Sequence, residues 1–258
     1  MPKVPAPPLR VELAAVGFYI DRVADPIKAH NADRVYLVHA RDRAEDKAKP
    51  FRESIQKSLR EWKTNLDIRF ASTDIWSLEA CVETFSSIIK SETESGNSVW
   101  VNLSTGSKLE AIGAALACMA HGGNPYYVRM KSYETGGPAR PLAEGVVSVD
   151  SVPMYGLSPL TEAQLAVLSL LAQNESGLSK KHVLAGLVGL GILPFRSEGP
   201  SAISPQASYA RLQVILDTLC ASPPLAIVLG NRKAARVQIT SRGRLALRIF
   251  APRRPEPA

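Results

Sequence analysis

Residues 99–123 read VWVNLSTGSKLEAIGAALACMAHGG, and the fold turns on this stretch. Val99–Leu103 is a short apolar run of strand type. Leu109, Ile112, Leu116 and Met119 recur at helical spacing and stop near Gly122-Gly123, which predicts a helix. Only a short loop joins the two, and the same alternation extends to either side. Upstream, Val11–Phe18, Arg34–His39 and Leu66–Ala71 are strand-like. Phe51, Ile55, Leu59 and Trp62 mark a helix across 47–64. Leu78, Val82, Phe85 and Ile89 mark another, broken at Ser95-Gly96-Asn97. Within Tyr19–Asn31, Asp25-Pro26 pairs a cap with a first-turn proline, so a helix is expected to begin or restart there. Downstream, Pro125–Met130 is a fifth strand. Residues 131–150 look irregular, with one extra edge strand at Gly145–Val149. Repeated β-α units of this length predict an α/β fold, a parallel sheet with helices on both faces, over residues 1–155.

In an open α/β sheet, ligands bind outside the carboxyl ends of the strands. The loops to consider follow Phe18, His39, Ala71 and Leu103. The last, Asn102-Leu-Ser-Thr-Gly-Ser-Lys108, supplies three hydroxyls, a glycine that permits close backbone approach, and a lysine in the first helical turn. A helix N-terminus already carries partial positive charge, so lysine there opposes the dipole. The lysine makes sense if an anion sits on the backbone N–H groups of residues 105–108. The loop is therefore expected to bind phosphate. It is not a P-loop, because the order is Gly-Ser-Lys with no upstream glycine. No Gly-x-Gly-x-x-Gly occurs here or in Gly17–Arg22. Thr105-x-x-Lys108 has the spacing of a Ser-x-x-Lys nucleophile, but neither Ser-Asp-Asn nor Lys-Thr-Gly follows it. The alternative reading is a capped helix with a surface lysine.

The 258 residues carry 31 Lys+Arg and 24 Asp+Glu, a net charge of +7. That excess is localised. Residues 1–155 hold 19 basic and 19 acidic side chains, whereas residues 156–258 hold 12 and 5. Such asymmetry points to two modules, one of which meets a polyanion; the alternative is a solvated basic tail, as Arg253 and Arg254 suggest. Cys81, Cys118 and Cys220 are odd in number and form no Cys-x-x-Cys. A disulfide scaffold is not expected, and a reducing cytoplasm fits. No apolar run is long enough to span a bilayer, and Met1–Arg10 lacks the apolar core of a signal peptide. His30, His39, His121 and His182 share no metal spacing, so no metal and no cofactor are expected. Trp62, Trp76 and Trp100 are assigned to packing faces rather than to base stacking.

The second module, residues 156–258, begins near Leu157-Ser-Pro-Leu-Thr161. Thr161-x-x-Gln164 is a capping box, followed by Leu165, Leu168 and Leu171 on one helix. Ser179 caps a second helix with Val183, Leu184 and Leu187 inward. Ser208 caps a third with Leu212, Ile215, Leu216 and Leu219 inward, and Pro223-Pro224 stops it. Leu225–Leu229 and Ala235–Thr240 then form a hairpin with a basic tip at Gly230-Asn-Arg-Lys233, and a last helix follows. This order is that of a winged helix-turn-helix, in which the third helix enters the DNA major groove and the hairpin lies along the backbone. Ser208, Tyr209 and Arg211 are the expected groove residues. Lys180, Lys181, Arg232, Lys233 and Arg236 are the expected phosphate contacts. The stretch Gly189–Gln206 departs from the pattern, because a DNA-binding turn is usually far shorter. Winged helices also serve as protein-interaction modules, which is the alternative.

The lysine loop between strand and apolar helix resembles the signature loop of CARF domains, the CRISPR-associated Rossmann folds. Val16-Gly-Phe-Tyr-Ile-Asp-Arg-Val23, followed by Ala32-Asp-Arg-Val-Tyr-Leu-Val-His39, is similar to one subgroup, the CARF-like winged-helix transcription regulators best known from archaea. The resemblance spans most of residues 10–150. It implies a Rossmann-like fold and a homodimer whose two copies of this loop and of the first βα loop line one cleft. The implied ligand is a cyclic oligoadenylate or another phosphate-rich nucleotide messenger, in CRISPR-linked or related antiviral defence. Carried over by position, the ligand contacts are Gly17, Phe18, Asp21, Arg22, Ser104, Thr105, Gly106, Ser107 and Lys108. Ser107 departs from the common Gly-Thr before the lysine but keeps a hydroxyl. The expected protein is a ligand-responsive transcriptional regulator that binds double-stranded DNA. The alternative is a ring nuclease that cleaves its cyclic ligand by attack of a ribose 2′-OH.

Overall fold

A computed structural model describes residues 7–41, 46–133, 143–154, 156–193, 205–230 and 235–251. The chain divides into two units, one up to Leu157 and one over Ser158–Ala251. In the first, strands β1 (Arg10–Ala15), β2 (Arg34–Ala40), β3 (Asp67–Thr73), β4 (Ser98–Asn102), β5 (Asn124–Tyr133) and β6 (Ala143–Ser151) form one sheet in the order β3-β2-β1-β4-β5-β6. The first five are parallel and β6 is antiparallel to β5. This is the Rossmann-like α/β arrangement, whose strand order turns back between β1 and β4. In sheets of this order ligands bind at that switch point, beside the loops after β1 and β4.

Helices α1 (Asp21–Ala29) and α2 (Lys49–Trp62) cover one face. There Val23, Ile27, Ile55 and Leu59 pack on Ala14, Val35 and Leu37. Helices α3 (Leu78–Glu94) and α4 (Lys108–His121) cover the other, with Phe85, Ile88, Ala114 and Ala117 on Val11, Val99 and Val101. Strands buried on both faces read as continuous apolar runs, which is why β1, β2 and β4 are conspicuous in the sequence. Each buried Val, Leu, Ile or Phe among these contributes roughly 1.5–3 kcal/mol by leaving water.

Three expectations change. α1 is a single helix from Asp21, with Pro26 in its interior rather than at a start. Proline has no N–H to give the carbonyl four residues back, here that of Arg22. The Asn102 side-chain amide donates to that carbonyl instead, at 2.8 Å, so the helix continues. Second, β5 runs to Tyr133 and pairs with β6 as a hairpin, where irregular chain with a shorter edge strand was expected. Third, Trp76 lies in the turn between β3 and α3 and is 69% exposed, not on a packing face.

The second unit contains α5 (Glu162–Ala172), β7 (Leu178–Ser179), α6 (Lys180–Gly189), α7 (Pro205–Cys220), β8 (Ala226–Leu229), β9 (Arg236–Ile239) and α8 (Ser241–Phe250). Its strands form an antiparallel sheet in the order β7-β9-β8. Thr161 and Gln164 form the expected capping box, and Ser179 and Thr240 cap α6 and α8. Val167, Leu168, Leu171, Val183, Leu187, Leu212, Leu216 and Val237 make its core. α7 starts at Pro205, so Ser208 sits in its first turn and is not the expected cap. Residues 194–204 of the unusual connection before it lie outside the described residues.

Candidate functional site

The loops after β1 and β4 meet backbone to backbone. A Cβ on Gly17 would come within 3.1 Å of the Gly106 nitrogen. Gly106 has φ +78°, and a Cβ there would overlap Ala15 and stand 2.7 Å from Glu110 Oε2. Gly106 needs glycine for its left-handed backbone and its contact with Ala15, whereas a side chain at Gly17 would crowd the Gly106 backbone.

Asn102, the last residue of β4, anchors the start of the loop. It is buried. Its Oδ1 accepts from the Ser104 N–H at 2.9 Å and from the Ser104 hydroxyl, while its Nδ2 holds the Arg22 carbonyl. Behind it runs a buried polar chain. Tyr126 Oη donates to Glu12 Oε2 at 2.8 Å, and His30 Nδ1 meets Glu12 Oε1 at 2.6 Å. Burial raises the Glu12 carboxyl above its ordinary range despite the opposing pull of His30, Tyr126 and Arg10. Tyr126 is raised by burial and by Glu12, against a bond with Asn102.

The loop itself is organised by a capping box. Glu110 N–H donates to Ser107 Oγ at 3.1 Å, and Ser107 N–H donates to Glu110 Oε2 at 2.7 Å. The Ser107 hydroxyl also donates to the Ile75 carbonyl at 3.3 Å, tying this loop to the turn after β3. The expected phosphate cradle is thereby one donor smaller, because Ser107 N–H already serves an internal carboxylate. Among the described residues nothing accepts from the N–H groups of Thr105, Gly106, Lys108 and Leu109. Thr105 is 2% exposed and its Oγ1 has no partner among the described residues. Such donors, buried or at a helix N-terminus, call for an acceptor. Lys108 is exposed at the head of α4 and joins no ion pair among the described residues. Hydroxyl, N–H groups and ammonium together suit an anion with several oxygens.

Glu110 was missed in the sequence, although Ser107-x-x-Glu110 is a capping box in plain view. It is 2% exposed, its Oε1 has no partner among the described residues, and burial raises its carboxyl above the usual range against its bonds to Ser107.

The other expected ligand residues separate. Phe18 is exposed and set edge-on to Phe51, with ring centres 5.5 Å apart. Asp21 opens α1, half-buried. Arg22 is buried, unlike a residue open to a ligand. Its Nε and Nη2 donate to the Val128 carbonyl at 3.1 and 2.9 Å, and it lies about 5 Å from the Tyr19 and Tyr127 ring centres. It fastens α1 to β5. Cys81 and Cys118 are both pushed up to about 12, the first by burial and Glu110, the second by burial, so neither is a thiolate nucleophile.

In the second unit, Lys181, Tyr209, Arg211 and Arg236 are exposed. Lys180 Nζ donates to Gln213 Oε1 at 2.8 Å, and Arg236 Nη1 to the Gly177 carbonyl at 3.2 Å. Ser208 is 1% exposed on the inner face of α7 with Leu212, not on the face of Tyr209 and Arg211. Arg232 and Lys233 lie outside the described residues.

Residues 10–133 match the family model described as "HFX_2341_N:-like, N-terminal". No curated protein matches the chain. Among solved structures the chain is similar to Enterococcus italicus Csm6 bound to cyclic hexa-2'-fluoro-hexa-dAMP, with 8% identity and a TM-score of 0.42 over 82% of this chain. It is also similar to Can2 from Sulfobacillus thermosulfidooxidans in complex with cyclic tetra-adenylate, with 13% identity and a TM-score of 0.37 over 93%. A third is protein VC1899 from Vibrio cholerae, with 11% identity and a TM-score of 0.39 over 93%. The chain spans 55%, 63% and 64% of the lengths of these three. A likeness this loose assigns neither ligand nor activity to the present protein.

Proposed function

We propose that the first unit is a CARF-type sensor of a cyclic oligoadenylate messenger, that it works as a homodimer, and that it controls DNA binding by the second unit. The observation that carries the reading is the loop at the switch point. Among the described residues, four N–H groups and the buried Thr105 Oγ1 have no protein partner, and the exposed Lys108 lies in the same loop, beside a glycine-glycine contact. The cyclic oligoadenylate is the ligand class implied by the sequence resemblance, and its phosphodiesters are the anion such donors take.

α4 supports the dimer. Between Leu109 and Ala120 its only charged residue is the buried Glu110. A helix apolar on all sides is normally covered on all sides, yet Ile112 is 49% exposed. Lys108 and Ile112 share one face, four residues apart. Two copies packed through this face would bring their Lys108 loops to one two-fold axis, where a symmetric ring fits.

The second unit supports DNA binding by its element order, its small antiparallel sheet and its charge. Read as a winged helix-turn-helix, it presents Tyr209 and Arg211 of α7 to a groove, with Lys180, Lys181 and Arg236 on phosphates. Ligand can shift DNA affinity only as far as it binds the dimer states differently, typically about 1–3 kcal/mol. Replacing Lys108 with Ala tests the assignment. Ligand response should be lost while ligand-free DNA binding and the melting temperature stay unchanged. Equal loss of both activities, or no loss of ligand response, would overturn it.

A further inference from the structure

The turn between β3 and α3 displays a large aromatic side chain on a stiff mount beside the anion loop. Single exposed apolar residues are common and need no explanation. Trp76, 69% exposed, differs in where it is and how it is held. Its own N–H donates to Asp74 Oδ1 at 3.0 Å, and Ser77 N–H donates to the Asp74 carbonyl at 3.1 Å. Ser77 caps α3 by accepting from Ala80 N–H at 3.2 Å. The carbonyl of Ile75, the preceding residue, accepts from the Ser107 hydroxyl at 3.3 Å. Trp76 is thus one residue from a direct tie to the anion loop, and its backbone is fixed on both sides.

The loop 104–108 offers hydroxyls, N–H groups and an ammonium, but no π face. A nucleotide presents both a phosphate and a flat aromatic base, joined through one sugar. Ser107 lies between the two complementary features, with Lys108 next in the chain and Trp76 across the Ile75 bond. Phe18, the other exposed aromatic on these loops, is 37% exposed against 69% for Trp76. We infer that Trp76 is the base-stacking platform of the site, and so that the ligand taken there is a nucleotide rather than a bare phosphate or a sugar phosphate. The inference rests on the anion-site reading above and adds the residue that selects for a base.

The test uses the full chain and three probes: cyclic tetra-adenylate, cyclic hexa-adenylate and base-free inorganic tripolyphosphate. Titration calorimetry, tryptophan emission and particle mass by light scattering are measured for wild type, Trp76→Phe and Trp76→Ala. In wild type an oligoadenylate should quench emission and tripolyphosphate should not. Trp76→Phe, which keeps an aromatic face as well as Trp62 and Trp100, should lose the quench but bind within a few-fold of wild type. Trp76→Ala should bind the oligoadenylate about 5- to 100-fold more weakly, with tripolyphosphate affinity and particle mass unchanged. Unchanged oligoadenylate binding by Trp76→Ala would overturn the inference. So would equal weakening of both kinds of probe, or a change in mass that makes Trp76 a subunit contact. If wild type binds tripolyphosphate but neither ring, the anion site stands and the base platform falls. If it binds none of the three, the anion-site reading falls too.

Discussion

Glu110 places a carboxylate where a ligand phosphate would be drawn. It caps Ser107 N–H at the head of α4, and its burial raises its carboxyl above the ordinary range. The sign of the consequence follows. Above its raised pKa, Glu110 is charged and repels a neighbouring phosphate. As the pH falls through that pKa the repulsion disappears and the positive end of the helix dipole is left uncompensated. Affinity for a phosphodiester ring should therefore rise as the pH falls through that raised pKa. Glu110→Gln keeps a capping-box side chain and removes the charge. Titrations across pH 5.0–8.0 should show it binding severalfold more tightly than wild type at pH 8.0, with a flatter pH profile. An unchanged affinity and profile would mean that the Glu110 charge does not bear on the site. Ser107-x-x-Glu110 was legible as a cap in the sequence. What hid its meaning is that a cap and an anion cradle draw on the same N–H groups. The Glu12–Tyr126 and Glu12–His30 bonds were not legible, because their partners lie 114 and 18 residues apart and only the fold brings them together.

Among the elements, those buried on both faces were the easiest to read. β1, β2 and β4 are nearly continuous apolar runs, and α2 and α3 keep their periodicity. α1 was misread for a physical reason. Pro26 breaks the local pattern, and the Asn102 amide that repairs the break comes from 80 residues away. The β5–β6 hairpin was only partly legible, because an edge pair is set by its cross-strand partners as well as by its own pattern. α4 makes the opposite case: its sequence is apolar all round, but a single chain leaves Ile112 half-exposed. Ile112→Glu should dissociate the proposed dimer while leaving the fold intact, since the site is already partly in water. Sedimentation at micromolar concentration should give the mass of one chain for the variant and of two for wild type. A wild-type monomer, or a variant that stays dimeric, would remove α4 from the interface.

For the whole molecule, the charge division bears most on function. The first 155 residues are balanced and residues 156–258 carry the full excess. The proposed anion site of the first unit therefore rests on a few oriented donors and one lysine, whereas residues 156–258 hold twelve basic side chains, eight of them between Arg232 and Arg254. A small, shaped anion suits the former and a long polyanion the latter. No helix among the described residues is long and apolar enough to cross a membrane. In the proposed sensor, two copies of the 104–108 loop share one cyclic nucleotide. Isothermal titration of the wild-type chain with cyclic tri-, tetra- and hexa-adenylate tests it most directly. Saturable binding of one ring size, at one ring per two chains, is the expected result. Saturation at one ring per chain, or no heat with any of the three, would contradict it.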